Sequence, residues 1–364
     1  MSRRFPVALV VAVLALTLGA GGATSQAGKV AMLLPGSIND QSWNAAGYSG
    51  LARLKERGVE IAYSENVQAA DHVEAMKDYA RRGFSPIIGH SGRFLSAAQR
   101  VGPEFEKTIF LVGSGSGGQN NVISLDVANE QYAYLVGVLA ARMSKSGKIG
   151  AVAGLEGLPN MVASMGGFRL GAKSVRPEIE VKIIYLQSME DPALAKEATL
   201  ALIAGGADVI GGKLNAGQAG IIQAAKEAAL SLIAGGADVI GGKLNAGHAG
   251  IIQAAKDKGV FAAGRSVGHT AIAPERVLTN IDERWGDIYV SAVSELRAGK
   301  LNGNYIPYGY NTPTAGADLR YSTDRSLNPA VPAGVAAELE TVKKKIASGE
   351  IKIKPTKDDA RGGA

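Results

Sequence analysis

Apolar and polar positions alternate along the chain in blocks that predict strands and helices in turn. The block "KVAMLLPG" is a short apolar run, and "DQSWNAAGYSGLARLKERG" follows with apolar residues at helical spacing and a glycine stop. The same order returns in "VEIAYSENV", "AADHVEAMKDYARRG" and "SPIIGHSG". This alternation predicts an α/β fold built on a doubly wound parallel sheet.

A second series of strands and helices begins at the predicted helix "NEQYAYLVGVLAARMSKSG" and ends with "IKIKP", predicted as a short strand. Near its end, the Pro- and Gly-rich "LNGNYIPYGYNTPTAGADLRY" predicts loop and irregular strand. Two series of similar size predict two lobes that face each other across a cleft. The predicted division places 28–126 and 281–301 in the first lobe, 127–280 and 302–355 in the second, and 356–364 in a flexible tail.

One segment of the second series occurs twice. "LIAGGADVIGGKLNAGQAGIIQAAK" (202–226) returns as "LIAGGADVIGGKLNAGHAGIIQAAK" (232–256), with Gln218 replaced by His248 as the only change. One period holds a predicted strand, loop and helix, so a βα module is duplicated within 196–256. Two copies are too few for a solenoid, because stacked repeats generally need three or more. The pattern indicates a tandem duplication inside one lobe, whose surplus module adds a strand, displaces its neighbour or lies on the surface.

The amino terminus predicts a secretory signal peptide over residues 1–27. Two arginines precede a short apolar run, and small residues lead to Ser25-Gln26-Ala27. The run is too short for a comfortable membrane span. The chain contains no cysteine, so neither a lipid-anchored cysteine nor a disulfide is expected. These features favour an exported periplasmic protein without a lipid anchor.

Composition and motifs favour a binding protein over an enzyme. The formal net charge is +6, but the excess is spread along the chain, so nucleic-acid binding is not expected. The four histidines lack metal-ligand spacing, and neither a metal nor a cofactor is expected. The Gly-rich "VGSGSGG" precedes a predicted turn and strand instead of a helix, which disfavours a dinucleotide loop. We find no motif that joins a nucleophile to its base.

The stretch "PGSINDQSWNAAGYSG" carries the richest candidate chemistry. It follows the first predicted strand, at the edge where open α/β sheets bind ligands. Asn39, Asp40 and Asn44 offer hydrogen-bonding groups, and Trp43 can stack on a flat ring. The alternative is a capped helix with Trp43 in the core. Other predicted strand ends supply further candidate ligand-binding residues, namely His90, Ser91, Asp126, Asn245, His248, Arg265 and Asp282.

The chain resembles the basic-membrane-protein family of ABC-transporter substrate-binding receptors, which includes purine-nucleoside receptors. The motifs that carry the resemblance are Asp40-Gln-Ser-Trp43-Asn44, "EQYAYLVGVLAA" and "GGFRLGAKSVRPEIEV", and it covers nearly the whole mature chain except one period of thirty. The resemblance implies a type I periplasmic binding fold, with two Rossmann-like lobes that enclose a ligand. It also implies that Trp43 stacks on a purine, that Asp40 and Asn44 bind the ligand or brace the loop, and that Phe168 is a ligand or core residue.

Two departures from the family pattern bear on the ligand. Nucleoside-binding members carry an aspartate that grips ribose, whereas this chain has "GRSVGHT" (264–270), in which Arg265 offers only donors. The ligand is then a free base or a molecule with an anionic group. The second copy of the duplicated module continues directly into "DKGVFAAG", as the family pattern expects. This continuity favours His248 at the ligand edge, where it would give a pH response near neutrality.

The expectation is a periplasmic receptor that binds a small planar ligand, a purine base or nucleoside-like molecule, and delivers it to an inner-membrane ABC permease. It is expected to act as a monomer and to need no catalysis, since stacking, hydrogen bonds and lobe closure suffice for binding. One alternative is a sensory protein that presents its closed form to a membrane receptor. Another is a periplasmic nucleoside hydrolase, which would need clustered metal-binding acids.

Overall fold

The protein folds into alternating strands and helices, as its apolar blocks predict. The computed structural model describes residues 28–39, 43–188, 191–213, 239–241, 261–264, 277–329 and 331–361. The described strands are β1 (Lys29–Leu33), β2 (Glu60–Ser64), β3 (Ile87–Gly89), β4 (Phe110–Gly113), β5 (Val122–Val127), β6 (Lys148–Ala153), β7 (Glu180–Tyr185), β8 (Val209–Lys213), β9 (Val239–Gly241), β10 (Phe261–Gly264), β11 (Val277–Glu283), β12 (Tyr305–Tyr308) and β13 (Ala317–Arg320). The described α-helices are α1 (Trp43–Glu56), α2 (His72–Arg81), α3 (Leu95–Val101), α4 (Asn129–Met143), α5 (Pro159–Val175), α6 (Pro192–Ala204), α7 (Trp285–Arg297), α8 (Ala333–Ala347) and α9 (Lys357–Ala360).

The first sheet joins six of the described strands in the order β12-β5-β4-β3-β1-β2, and every pairing in it is parallel. One face packs against α1 and α7 through residues such as Leu51 and Ile288. The other face packs against α2 and α3 through Met76 and Val101. Burial of both faces explains why β1, β3, β4 and β5 are almost continuously apolar in sequence.

The second sheet joins seven of the described strands in the order β13-β11-β10-β9-β8-β6-β7. Its pairings are parallel except for the antiparallel pair of β11 with β13. Strand β8 belongs to the first copy of the duplicated segment and β9 to the second. Val209 pairs with Val239 and Ile210 pairs with Ile240, so both copies contribute a strand to the same sheet.

Between the two sheets the described chain crosses three times, from β5 to α4, from β11 to α7 and from β12 to β13. The crossings are hydrogen-bonded to one another. The Ala128 amide donates to the Tyr308 carbonyl at 2.9 Å, and the Arg284 amide donates to the Gly316 carbonyl at 2.8 Å. The buried hydroxyl of Tyr132 donates to the Tyr308 carbonyl at 3.2 Å. The α/β prediction with parallel sheets is confirmed, and the crossings form the connection between the two lobes.

Three segments near the carboxyl terminus differ from the sequence prediction. Strand β12 lies within 302–355, a stretch assigned to the second lobe, yet it pairs with β5 of the first sheet. The stretch "IKIKP" forms no strand. Part of the predicted flexible tail forms α9, because Thr356 and Asp359 make a capping box and Ala360 is buried. Within the described part of the chain, no helix is both long and apolar enough to cross a membrane.

Candidate ligand-binding site

The carboxyl ends of strands from the two sheets meet beside the first crossing. Asp126, near the end of β5, lies 3.5 Å from the side-chain amide of Asn129, measured from Oδ2 to Nδ2. The ammonium of Lys213, the last residue of β8, donates to Oδ1 of the same Asn129 at 3.0 Å. Asn129 therefore connects strand ends of both sheets. This is the edge at which open α/β sheets hold ligands.

Trp43, the first residue of α1, lies at the same edge of the first sheet and is partly exposed. Its indole stacks on the imidazole of His90, with ring centroids 4.3 Å apart and an angle of 14° between the planes. The indole nitrogen donates to the His90 carbonyl at 3.0 Å. The edge of Trp285 packs on the indole at a centroid distance of 4.9 Å. Stacking and the hydrogen bond together fix the orientation of the Trp43 ring.

His90, which follows β3 directly, is fully buried behind Trp43. Its Nε2 lies 2.8 Å from the Trp43 carbonyl, and its Nδ1 lies 2.6 Å from the Tyr289 hydroxyl. A carbonyl can only accept, so Nε2 carries the proton and Nδ1 of the neutral ring accepts from the Tyr289 hydroxyl. Burial raises the pKa of Tyr289, which keeps that hydroxyl protonated as the donor. In this structure His90 supports Trp43 from the protein interior.

A glycine in α1 makes this arrangement sterically possible. A Cβ atom on Gly47 would lie 2.5 Å from Nε2 of His90, closer than such atoms approach in proteins. Gly47 therefore lets the helix pass directly over the imidazole. The position of His90 after a strand is visible in the sequence, but its contact with α1 leaves no local signal there.

The remaining polar candidates of the first sheet hold loops in place. The side-chain oxygen of Asn44 accepts from the Gly36 amide at 3.2 Å, which braces the loop after β1. Asn39 is exposed in the same loop. Ser91 caps a short helical turn, since its hydroxyl accepts from the Arg93 amide at 3.3 Å.

Asp126 is 4% exposed and its carboxylate is held locally. Oδ1 accepts from the Val127 amide at 2.8 Å and from the Ser114 hydroxyl at 3.3 Å. Desolvation raises the pKa of Tyr305, and the nearby negative charge of Asp126 raises that pKa further. The Asp126 carboxylate therefore holds the end of β5 in place, and Tyr305 and Asn129 lie beside it.

Two further candidates lie elsewhere in the second lobe. Phe168 is buried in the core on α5, among the apolar residues that pack α4 against α5. Asp282 lies on β11 opposite Asp318 of β13, and one of its carboxylate oxygens is 3.9 Å from Nε of Arg320. Burial raises the pKa of Asp282, and the nearby Arg284 opposes this effect. Four other candidates, Asp40, Asn245, His248 and Arg265, lie outside the described residues.

Lys213, a buried cation at the carboxyl end of β8, was not among the residues predicted for the site. Its ammonium donates to three neutral oxygens: Oδ1 of Asn129 at 3.0 Å, the Asn160 carbonyl at 3.1 Å and the Ser164 hydroxyl at 2.7 Å. The available signal was a lysine directly after the apolar strand "DVIGG". Among the residues that the structure describes, no group of three or more histidine, aspartate or glutamate side chains is arranged to hold a metal.

Solved structures show which fold this two-lobed chain shares. An ABC transporter solute-binding protein from Conexibacter woesei superposes with a TM-score of 0.63 at 22% identity, covering 90% of this chain and 99% of that one. At this identity the likeness shows the fold, which is that of the two-lobed periplasmic solute-binding proteins. The predicted type I architecture is confirmed.

The family follows from the sequence match. Residues 27–231 and 225–357 match the model of the Bmp family, described as ABC transporter substrate-binding protein PnrA-like. The chain belongs to this family, as its motifs predicted. The transcriptional activator protein med of Bacillus subtilis is 30% identical over 50% of this chain and 57% of its own length. A purine-binding protein of Brucella abortus is 26% identical over 83% of this chain and 78% of its own length.

Proposed function

We propose that the protein is the solute-binding receptor of an ABC importer and that it binds a planar ligand of the purine class between its two lobes. Membership of the Bmp family supports the receptor role. The Brucella abortus relative is named as a purine-binding protein, which supports the ligand class. In this proposal the receptor acts outside the cytoplasm as a monomer and delivers its ligand to a membrane permease. The sensory alternative would use the same site and differ only in its partner.

The observation that carries the ligand class is the fixed orientation of the Trp43 indole. A side chain that is already ordered by stacking on His90 loses little conformational entropy when a ligand packs on it. An indole face also suits a heteroaromatic ring, because stacking of a base on an aromatic side chain contributes about 1–3 kcal/mol. The first lobe would thus supply a rigid wall for the ring.

The polar groups beside the first crossing would supply hydrogen bonds to the ligand. Asn129 and Lys213 lie together there, and Glu130 occupies the first turn of α4. Burial raises the pKa of Glu130, the charge of Asp126 raises it further, and Lys213 opposes the increase. Amide, ammonium and carboxyl groups match the mixed donors and acceptors of a purine edge. Glu130 also offers an acid near the cleft that "GRSVGHT" does not contain.

The experiment is calorimetric titration of the purified protein with adenine, guanine, hypoxanthine and their nucleosides. Trp43→Ala should weaken binding about fivefold to 150-fold, the range to which the loss of about 1–3 kcal/mol of stacking corresponds. Trp43→Phe should retain part of the affinity, because a smaller aromatic face remains. Tyr63→Ala is the matched control, since Tyr63 is an exposed ring that packs on Tyr48.

Near-ultraviolet circular dichroism should show that each variant remains folded. Two results would contradict the proposal. One is the absence of binding by every purine base and nucleoside tested. The other is a folded Trp43→Ala variant with unchanged affinity.

A further inference from the structure

Trp285, the first residue of α7, connects the two lobes through its side chain. It follows the second crossing, where the chain passes from β11 of the second sheet to α7, which packs on the first sheet. Its indole nitrogen donates to the carboxylate of Glu283 at 3.1 Å, and Glu283 is the last residue of β11. The Trp285 side chain itself lies in the apolar core of the first lobe. A core residue of the first lobe is therefore hydrogen-bonded to the end of a strand in the second sheet.

The same indole also contacts Trp43, the wall of the proposed ligand site. The two indoles meet edge to face, with ring centroids 4.9 Å apart and an angle of 69° between the planes. The Trp285 ring lies 5.7 Å from the imidazole of His90, on which Trp43 stacks. Trp285 is 1% exposed, so a ligand in the cleft cannot touch it. Any influence of Trp285 on a ligand must therefore pass through Trp43.

Tyr289 lies one helical turn after Trp285 and therefore on the same face of α7. Its hydroxyl lies 2.6 Å from Nδ1 of His90, so α7 holds the imidazole as well as the indole. Two glycines allow α7 to approach α1 this closely. A Cβ atom on Gly50 of α1 would lie 2.9 Å from the Cα atom of Gly286 in α7. The backbones of the two helices thus pack directly on each other, which brings their aromatic rings into contact.

We propose that Trp285 is a positioning residue that makes the orientation of Trp43 depend on the position of the second lobe. A displacement of β11 moves Glu283, which is bonded to the Trp285 indole, and Trp285 transmits the displacement to the ring of Trp43. By linkage the reverse also holds, since a ligand that fixes Trp43 favours one position of Glu283. The contacts do not depend on the ligand, whereas their effect on affinity rests on the proposed function.

Fluorine NMR tests the positioning role directly, because Trp43 and Trp285 are the two tryptophans of the chain. Protein labelled with fluorotryptophan should give one resonance from each, assigned with Trp43→Phe and Trp285→Phe. Glu283→Ala should move both resonances, since the Trp285 indole loses its acceptor and its contact with Trp43 changes. Glu283→Gln keeps an acceptor oxygen at the same reach, so the Trp43 resonance should stay close to its position in the parent. Glu283→Asp retracts the carboxylate while keeping the charge and should move both resonances in the same direction as Glu283→Ala.

Asp287→Ala is the matched control for Glu283→Ala. Asp287 lies two residues after Trp285, as Glu283 lies two residues before it, but its carboxylate accepts from the Arg53 guanidinium at 2.6 Å. Exposed ion pairs contribute little, so this variant should leave both resonances in place. A Trp43 resonance that does not move in folded Glu283→Ala or Glu283→Asp protein would overturn the proposal. An equal movement in Asp287→Ala would overturn it as well.

Calorimetric titration with hypoxanthine and inosine measures the consequence for binding. Glu283→Ala should weaken binding about twofold to twelvefold, the range expected when a ligand must order one more side chain. Glu283→Gln should bind as the parent does. Unchanged affinity in Glu283→Ala despite a displaced Trp43 resonance would overturn the effect on binding. If the parent binds no purine, the proposed function fails, while the fluorine spectra still decide whether Trp285 positions Trp43.

Discussion

In each lobe a buried side chain at a strand end forms a hydrogen bond with the first turn of an equivalent helix, but the two side chains differ chemically. In the first lobe His90 follows β3 and bonds the Trp43 carbonyl in the first turn of α1, the helix after β1. In the second lobe Lys213 ends β8 and bonds the Asn160 carbonyl in the first turn of α5, the helix after β6. Strands β3 and β8 hold the same place in their sheets. Both side chains are buried and titratable, and we call His90 the aromatic anchor and Lys213 the charged anchor.

The difference between the two anchors lies in what they present to the cleft. The His90 ring is surrounded by Trp43, Trp285 and Tyr289, so the first lobe offers an aromatic wall. Lys213 is a cation that donates to side-chain amide, carbonyl and hydroxyl oxygens, so the second lobe offers polar groups. Two sheets with the same strand order thus offer stacking in the first lobe and hydrogen bonding in the second. A planar polar ligand needs both.

The largest expected effect is the loss of the charged anchor. Lys213→Met should lower the free energy of unfolding by about 3 kcal/mol, because buried acceptors that lose their donor cost about 1–3 kcal/mol each. Removal of a desolvated charge offsets part of this cost. Urea unfolding followed by circular dichroism measures the change. The loss should exceed that of any single surface lysine.

Lys148→Met is the matched control for the charged anchor. The Lys148 ammonium lies 3.5 Å from a carboxylate oxygen of Glu180, and its side chain is 46% exposed. Exposed ion pairs contribute about 0–1 kcal/mol, so this substitution should cost less than 1 kcal/mol. Equal losses in the two variants would mean that Lys213 does not anchor the second lobe.

The aromatic anchor can be displaced without touching any aromatic residue. Gly47→Ala places a Cβ atom against Nε2 of His90 and should destabilise the protein by about 2 kcal/mol through overpacking. Gly334→Ala in α8 is the control, since nothing lies within 4 Å of its added Cβ atom. That substitution should stabilise by up to about 1 kcal/mol, the helix propensity gained over glycine. Opposite signs in thermal unfolding would support the anchor, whereas a stabilising Gly47→Ala would contradict it.

The fold was largely predictable from the sequence because both lobes depend on local patterns. The apolar runs at β1, β4 and β5 and the helical spacing in α1 follow directly from burial on both faces of a parallel sheet. Strand β12 was misassigned because its parallel pairing with β5 joins residues far apart in the chain. Helix α9 was missed because its capping box follows a stretch of charged residues that resembles a tail.

The site was less predictable, since its contacts are not local. Trp43 was identified from its position after a strand, but its partners His90 and Trp285 come from distant parts of the chain. Phe168 follows a conspicuous Gly-Gly pair, of which Gly167 lets α5 pack closely on the backbone of Glu130 in α4, and the phenylalanine itself lies in the core. Lys213 was overlooked because only the fold brings Asn129 and Ser164 within its reach.

The smallest expected effect concerns Glu130, the acid beside Lys213, the charged anchor. Burial raises the pKa of Glu130 above its ordinary value of 4.5. A raised folded-state pKa contributes stability that is fully present below the unfolded pKa and is lost as pH rises through the folded one. Glu130→Gln mimics the protonated side chain, so the variant should gain stability over the parent as pH rises above the ordinary pKa of 4.5.

Glu178→Gln provides a control of opposite sign. Its own backbone amide holds the pKa of Glu178 below the ordinary value, and the Arg176 guanidinium adds to this effect. A depressed pKa contributes stability above the unfolded pKa that is lost as pH falls through the folded one, so this variant should lose stability over the parent as pH rises. Urea unfolding across the same pH range measures both differences. If the difference in unfolding free energy from the parent changes with pH in the same direction in both variants, Glu130 is not desolvated beside Lys213. The polar groups that distinguish the second lobe would then be Lys213 and Asn129 alone.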